Sequence, residues 1–409
     1  MSRFVVEGQL VDSLLGSQWG QIEIVDGTIQ RVGDLGLKAD LVASQEQLVF
    51  PGFVDVHVHL RQGHEYKEDF QSGCRAALHG GVTAMIDMPN NPIPPKTLAD
   101  LALKRSLVED LPIDIDFYLG VGPGSTPDPS GPAHYKAYMG PSIGPLYFHS
   151  DEDLEEALQR FKGHRIAFHC EDPVMLRQLE KEALHESQRP VEAEWKAVET
   201  ALRLGQKHGF GVHVAHMTSE RSLELVEKAR PAMLAATTEA SPHHLFFDWE
   251  NRSQFRRSSW LKMNPPLRSG HERRALLQAM LAGRIDFLAT DHAPHTCQEK
   301  ASDNPSGVPL LDTYGGFVTW LMQQGWTPAQ VARHCCHLPG EFSGRKLGRL
   351  QPGYRGHLTI LSPQDPWTVE AEDLQTRCGW SPFEGVTLPG RVAWTVASGR
   401  LFRKGLEVT

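Results

Sequence analysis

Between residues 51 and 345 the chain alternates two hydrophobic rhythms: short apolar runs of strand length, and longer stretches whose apolar positions recur with helical spacing. The apolar runs end near His59, Asp87, Gly120, Tyr138, His169, His216, Glu239 and Asp291. Helical patterns follow most of them, over 68–78, 98–107, 151–161, 191–208, 220–229 and 272–281. Eight strand and helix units in succession predict an α/β fold, a (β/α)8 TIM barrel. The connection after the third run is short, and the Pro- and Gly-rich stretch 123–132 reads as a loop between barrel elements.

Outside 51–345 the grammar changes. Gln21-Ile22-Glu23-Ile24-Val25 alternates and then meets Asp26-Gly27, a hairpin signal. Gly356-His357-Leu358-Thr359-Ile360-Leu361 and Arg391-Val392-Ala393-Trp394-Thr395-Val396-Ala397 read the same way. Neither end has enough strands to bury a core alone, so residues 1–50 and 346–409 are expected to form one small β-domain together, beside a barrel over 51–345.

Composition narrows the function classes. A net charge of -9 over 409 residues argues against a general nucleic-acid surface. Cys74, Cys170, Cys297, Cys335, Cys336 and Cys378 are scattered without CxxC pairing, as in a reducing compartment. The start Met1-Ser2-Arg3-Phe4-Val5-Val6-Glu7 has no apolar leader, and no segment reaches membrane-spanning length. The expectation is a cytoplasmic protein with no membrane and no nucleic-acid partner.

The chemistry begins at Val54-Asp55-Val56-His57-Val58-His59. Side chains alternate along a strand, so His57 and His59 project to one side, where two imidazoles make half of a metal site. Strand ends also deliver His169 and His216, either of which alone could be a hydrogen-bonded structural histidine. Asp291 follows Phe287-Leu288-Ala289-Thr290, and a carboxylate there is costly to bury without a cation. Lys136 is the odd member. Its bland reading is an interior lysine paired to an acid, and the alternative is an uncharged amine that takes up carbon dioxide as a carbamate.

These residues resemble a known family. Pro51-Gly52-Phe53-Val54-Asp55-Val56-His57-Val58-His59-Leu60-Arg61, Lys67-Glu68-Asp69-Phe70, Asp87-Met88-Pro89-Asn90-Asn91, Ser241-Pro242-His243-His244-Leu245, Lys262-Met263-Asn264-Pro265-Pro266-Leu267-Arg268, Thr290-Asp291-His292-Ala293-Pro294-His295-Thr296 and Ser381-Pro382-Phe383-Glu384-Gly385 follow one another in the order seen in dihydroorotases of the amidohydrolase superfamily. The resemblance implies two zinc ions: one on His57 and His59, a second on His169 and His216, with Lys136 bridging as its carbamate. It further implies that Asp291 binds metal and shuttles the proton. Reversible hydrolysis of dihydroorotate to carbamoyl aspartate in pyrimidine biosynthesis is the implied reaction. Arg61, Asn90, Asn264 and His295 would hold that small-molecule substrate, and Glu239 would support the ligands from behind.

The chain departs from the family pattern twice. Gln62-Gly63-His64-Glu65-Tyr66 stands where relatives carry an Arg-Glu-Pro-Gly turn, and Met88 to Pro95 has the length seen in allantoinases. The second departure leaves open whether Asn90 or Asn91 faces the substrate. The alternative readings are an allantoinase, a hydantoinase or dihydropyrimidinase, and a noncatalytic dihydroorotase-like partner of aspartate transcarbamoylase. The last would be expected to lack metal ligands. A homodimer, an association with the transcarbamoylase, and cobalt or manganese in place of zinc stay open at this point.

Overall fold

The computed structural model describes residues 2–128, 134–140 and 146–408. The N-terminal strands are β1 (Arg3–Asp12), β2 (Gly16–Val25), β3 (Thr28–Gly33), β4 (Leu41–Val42) and β5 (Leu48–Pro51). Next come β6 (Phe53–Val58), β7 (Val82–Asp87), β8 (Asp114–Val121), β9 (His134–Tyr138), β10 (Arg165–His169), β11 (Gly211–Val214), β12 (Ala236–Ala240) and β13 (Phe287–Leu288). The C-terminal strands are β14 (Leu358–Ser362), β15 (Trp367–Thr368), β16 (Thr387–Leu388), β17 (Arg391–Ala397), β18 (Arg400–Arg403) and β19 (Leu406–Glu407).

Strands β6 to β13 pair in sequence order as one eight-stranded sheet. Val58 bridges His292 in parallel and the His59 amide donates to the His292 carbonyl at 2.8 Å, which brings the last strand round to the first. The Asp55 carboxylate tightens that seam by accepting from the Thr290 hydroxyl at 2.5 Å. The expected (β/α)8 barrel is present. Its N-terminal end is filled by Val54, Val56, Ala84, Ile86, Phe287 and Phe342, so it is a packed core.

The two chain ends share a second sheet. Strand β5 lies between β1, which it pairs in parallel, and β14, which it pairs antiparallel. Val6, Leu10, Ile22, Ile24 and Val49 therefore pack with Leu358, Ile360 and Val396 in one cluster. Asp26 and Gly27 sit at φ 46° and 72° between β2 and β3, the left-handed pair that a tight hairpin turn requires. The proline-rich stretch 123–132 lies partly outside the described residues.

Helices Val191–His208 and Glu220–Ala229 have the bounds that the periodicity gives. Others shift: the first begins at Phe70 because Asp69 caps it, accepting from the Ser72 amide, and the one from Asp151 stops at Leu158. Tyr314–Gln323 has no counterpart in the sequence reading. Its sequence YGGFVTWLMQ is apolar nearly all round, so it lacks the one-sided pattern that marks a surface helix.

The barrel is fastened to the C-terminal segment by Asp114, which accepts from Arg345 at 3.2 Å, Arg355 at 3.0 Å and His357 at 2.9 Å. Burial raises the Asp114 pKa, but its bonds to His357 and Arg355 outweigh burial and hold it well below the usual carboxylate range. A depressed folded pKa contributes stability above the unfolded value that is lost as pH falls through the folded one. Asp114→Asn is expected to cost about 1–3 kcal/mol near neutrality, because His357 is buried but Arg345 and Arg355 are partly exposed and screened by solvent. It should also flatten the acid limb of the stability profile, as read by denaturant unfolding at several pH values.

Candidate active site and metal centre

The C-terminal ends of the strands surround a cavity of about 300 Å³. Ten of the residues singled out by the sequence line it: His57, His59, Arg61, Asn90, Lys136, His169, His216, Asn264, Asp291 and His295. Three of them break the backbone rule for non-glycine residues. Arg61, His216 and Asp291 have φ of 59°, 35° and 51°, each at or just past a strand end, where the chain turns to present a side chain inward.

His57 and His59 rings lie 5.3 Å apart, and both Nε2 atoms stand 3.1 Å from Asp291 Oδ1. The ligand atoms of His57, His216 and Asp291 all fall within 4.8 Å of one another. Opposite them, His169 Nδ1 faces His216 Nε2 at 2.9 Å. Buried Glu171 takes the other His169 nitrogen, Nε2, at 2.8 Å and also pairs with Arg189. The Nε2 hydrogen therefore goes to the carboxylate, which leaves the Nδ1 lone pair toward His216.

Lys136 stands two residues before the end of β9, level with Ala167 of β10. It is fully buried, and among the described residues its Nζ has no hydrogen-bond partner, as is also true of His216 Nδ1. Burial lowers the amine pKa to about 8. Orphaned nitrogens beside converging imidazoles and a carboxylate make a donor set that fits cations.

Glu239 stands one residue before the end of the seventh barrel strand and is wholly buried. It touches His57 Nδ1, accepts from His213 Nε2 at 3.0 Å and accepts from the His216 amide at 3.0 Å. Burial alone would lower the His57 pKa, yet Glu239 and Asp291 outweigh it and raise it to about 9. Asp291 is likewise held well below its ordinary range: burial opposes this, and His57, His59 and His216 prevail.

The opposite wall carries the other named residues. Arg61 is buried and donates from Nε to the Pro294 carbonyl at 3.1 Å. His59 Nδ1 meets Asn90 Oδ1 at 2.6 Å, so Asn90 lines the cavity while Asn91 does not. Asn264 Oδ1 accepts from the Ser306 hydroxyl at 3.1 Å. Burial, then Arg61 and Lys67, push the His295 pKa down to about 2, leaving the ring neutral.

The sequence reading missed Tyr138, Glu171, Arg189 and the rim segment Pro305-Ser306-Gly307. Tyr138 and the rim line the cavity. Gly307 alone left a readable trace: at φ 137° a side chain would come within 2.5 Å of the Ala293 carbonyl oxygen.

The amidohydrolase family model matches residues 48–402. The chain belongs to the amidohydrolase family. Relatives named dihydroorotase support the same placement. That of Thermococcus kodakarensis is 31% identical, covering 99% of this chain and 94% of the relative. That of Pyrobaculum aerophilum is 34% identical over 90% of this chain and 91% of its own. Among solved structures, the L-hydantoinase of Arthrobacter aurescens superposes with a TM-score of 0.91 at 24% identity, over 100% of this chain and 98% of its own, a likeness of fold. Amidohydrolases are metal-dependent hydrolases, and the His57, His216 and Asp291 cluster of this amidohydrolase is a candidate metal centre. No helix among the described residues is long and apolar enough to cross a membrane.

Proposed function

We propose that this amidohydrolase is a dihydroorotase, which hydrolyses dihydroorotate reversibly to N-carbamoyl-L-aspartate in pyrimidine biosynthesis. One observation carries the reading: a cluster of metal-ligand type and a buried arginine beside a histidine share one small cavity. A cyclic amide bearing a carboxylate needs both. The relatives named dihydroorotase support it independently.

In this reading His57, His59 and Asp291 would hold one zinc ion and His169 and His216 a second, and Lys136, as its carbamate, would supply a further anionic ligand. Two such cations supply Lewis acidity, which lowers the pKa of water and polarises a carbonyl. Asp291 accepts the proton of the attacking water on a carboxylate oxygen and returns it to the ring nitrogen as the C–N bond breaks. Glu171 and Glu239 fix the imidazoles behind it. Arg61, Asn90, Asn264 and His295 orient the substrate, Arg61 through its carboxylate. The complete ligand set speaks against a noncatalytic scaffold. Residues 51–345 serve as the catalytic unit with the shared end sheet as its support, and six unpaired cysteines fit a cytoplasmic setting.

The test is turnover of the metal-loaded protein on dihydroorotate, carbamoyl aspartate, allantoin and dihydrouracil, with a chelated control. Metal-dependent interconversion of the first two alone is the expected result, and turnover of allantoin or dihydrouracil instead would refute the assignment. Arg61→Gln is expected to raise KM for dihydroorotate about 10–100-fold, the worth of a charged hydrogen bond. Its metal content should not change.

A further inference from the structure

The Lys67-Glu68-Asp69 run has no part in the chemistry above, yet Lys67 is buried against the substrate wall. Its Nζ stands 3.2 Å from His295 Nδ1 and 2.9 Å from Glu299 Oε1. An ammonium has hydrogens to give and no lone pair to offer, so His295 Nδ1 must be the acceptor in this contact. The ring hydrogen of neutral His295 then sits on Nε2, which donates to the Ser306 carbonyl at the cavity rim at 3.1 Å. Arg61 Nη2 lies 3.3 Å from that same Nε2. Both atoms carry hydrogens, so this contact is no hydrogen bond between them. The two donors stand side by side on one wall, so an anionic oxygen arriving there can accept from Arg61 and take over the Nε2 hydrogen from the Ser306 carbonyl.

We propose that Lys67 is a positioning residue: by occupying His295 Nδ1 it fixes the tautomer whose Nε2 hydrogen joins Arg61 in gripping the substrate carboxylate. The inference deepens the dihydroorotase reading and rests on it for the identity of that anion. Neighbouring groups keep the unit in place. Glu299 is anchored by its carboxylate accepting from the Thr296 amide at 2.9 Å and from the Tyr66 hydroxyl at 3.2 Å. Trp380 Nε1 donates to the His295 carbonyl at 2.7 Å. Lys300 Nζ donates to the Pro305 carbonyl at 2.8 Å and the Gly307 carbonyl at 3.3 Å, which holds the rim segment that carries Ser306. The charged groups facing His295 are thus Arg61, Lys67, Glu299 and Lys300.

The experiment compares Lys67→Met, Lys67→Gln and Lys67→Arg in the metal-loaded enzyme. Lys67→Met is expected to raise KM for dihydroorotate about 10–100-fold with kcat and metal content little changed, since the lost interaction is one charge-assisted hydrogen bond. Lys67→Gln and Lys67→Arg should restore most of the loss, because an amide or a guanidinium can also donate to Nδ1. An unchanged KM in a folded, metal-loaded Lys67→Met overturns the proposal, and so does an equal loss in Lys67→Gln. Nitrogen NMR of ring-labelled histidine in the unsubstituted enzyme, with His295→Gln to assign the signal, reads the tautomer directly even if Lys67→Met does not fold. A His295 ring protonated on Nδ1 refutes the mechanism. If the unsubstituted enzyme ignores dihydroorotate, the functional reading fails while the tautomer measurement still decides the role of Lys67.

Discussion

Asp291→Ala is expected to lower kcat on dihydroorotate by at least about 10²–10⁴-fold, the usual worth of a positioned general acid and base. The reason lies in what else the cavity offers. Among the described residues that line it, Asp291 is the single carboxylate, so no neighbour can take over the proton. Glu239 and Glu171 are spoken for: each is buried against imidazole nitrogens. The Asp291 carboxylate is ionised near neutrality, and its contacts to His57 and His59 aim one oxygen toward the candidate metal cluster. The fold should survive, because the barrel seam rests on Asp55 with Thr290 and on the Val58 to His292 bridge. Circular dichroism and metal analysis of the variant, alongside its turnover, check both halves. Wild-type turnover in a metal-loaded Asp291→Ala would remove the proton-transfer role.

The candidate ligand residues were legible for a simple reason. A strand alternates its side chains, so His57 and His59 had to share a side, and they do, with rings 5.3 Å apart. A barrel gathers its strand ends, so His169, His216 and Asp291 had to converge on them. What the sequence could not supply is the backbone that finishes the job. His216 lies two residues beyond the end of β11, and the left-handed φ of Arg61, His216 and Asp291 is no residue preference visible in the chain. Glu171 and Lys67 stayed hidden for a different reason. Each reaches the site only through its contact with a histidine, and the histidine that Lys67 meets lies more than two hundred positions away, where periodicity carries no information. The composite sheet shows the reverse case. The hydrophobic alternation of two ends, too short to fold alone, was enough to say that they meet, but the parallel pairing of β5 with β1 was not encoded in that pattern.

Lys136→Met should separate stability from function in opposite directions. The wild-type Nζ is fully buried with no hydrogen-bond partner among the described residues, and burial already lowers its pKa to about 8. A charged amine there is costly, and methionine fills a similar volume without the charge. With chelator present, the variant is therefore expected to melt at or above the temperature of the unsubstituted protein. The same depressed pKa gives the wild-type amine a neutral fraction near pH 7, and its nitrogen can attack carbon dioxide, forming an N–C bond and releasing a proton. The resulting carbamate is an anion with two oxygens, suited to bridging cations between His57 and His59 on one side and His169 and His216 on the other. Methionine cannot form it. Metal binding at both positions and turnover are then expected to drop by more than about 100-fold, beyond the usual cost of losing a group that merely supports a ligand. Intact mass measured at neutral pH should carry one added carbon dioxide in the unsubstituted protein and none in the variant. A Lys136→Met protein that keeps two metals and full turnover would show that the amine is only a buried structural lysine. In that case its missing partner must be sought in Tyr138, whose ring lies 5.4 Å from Nζ.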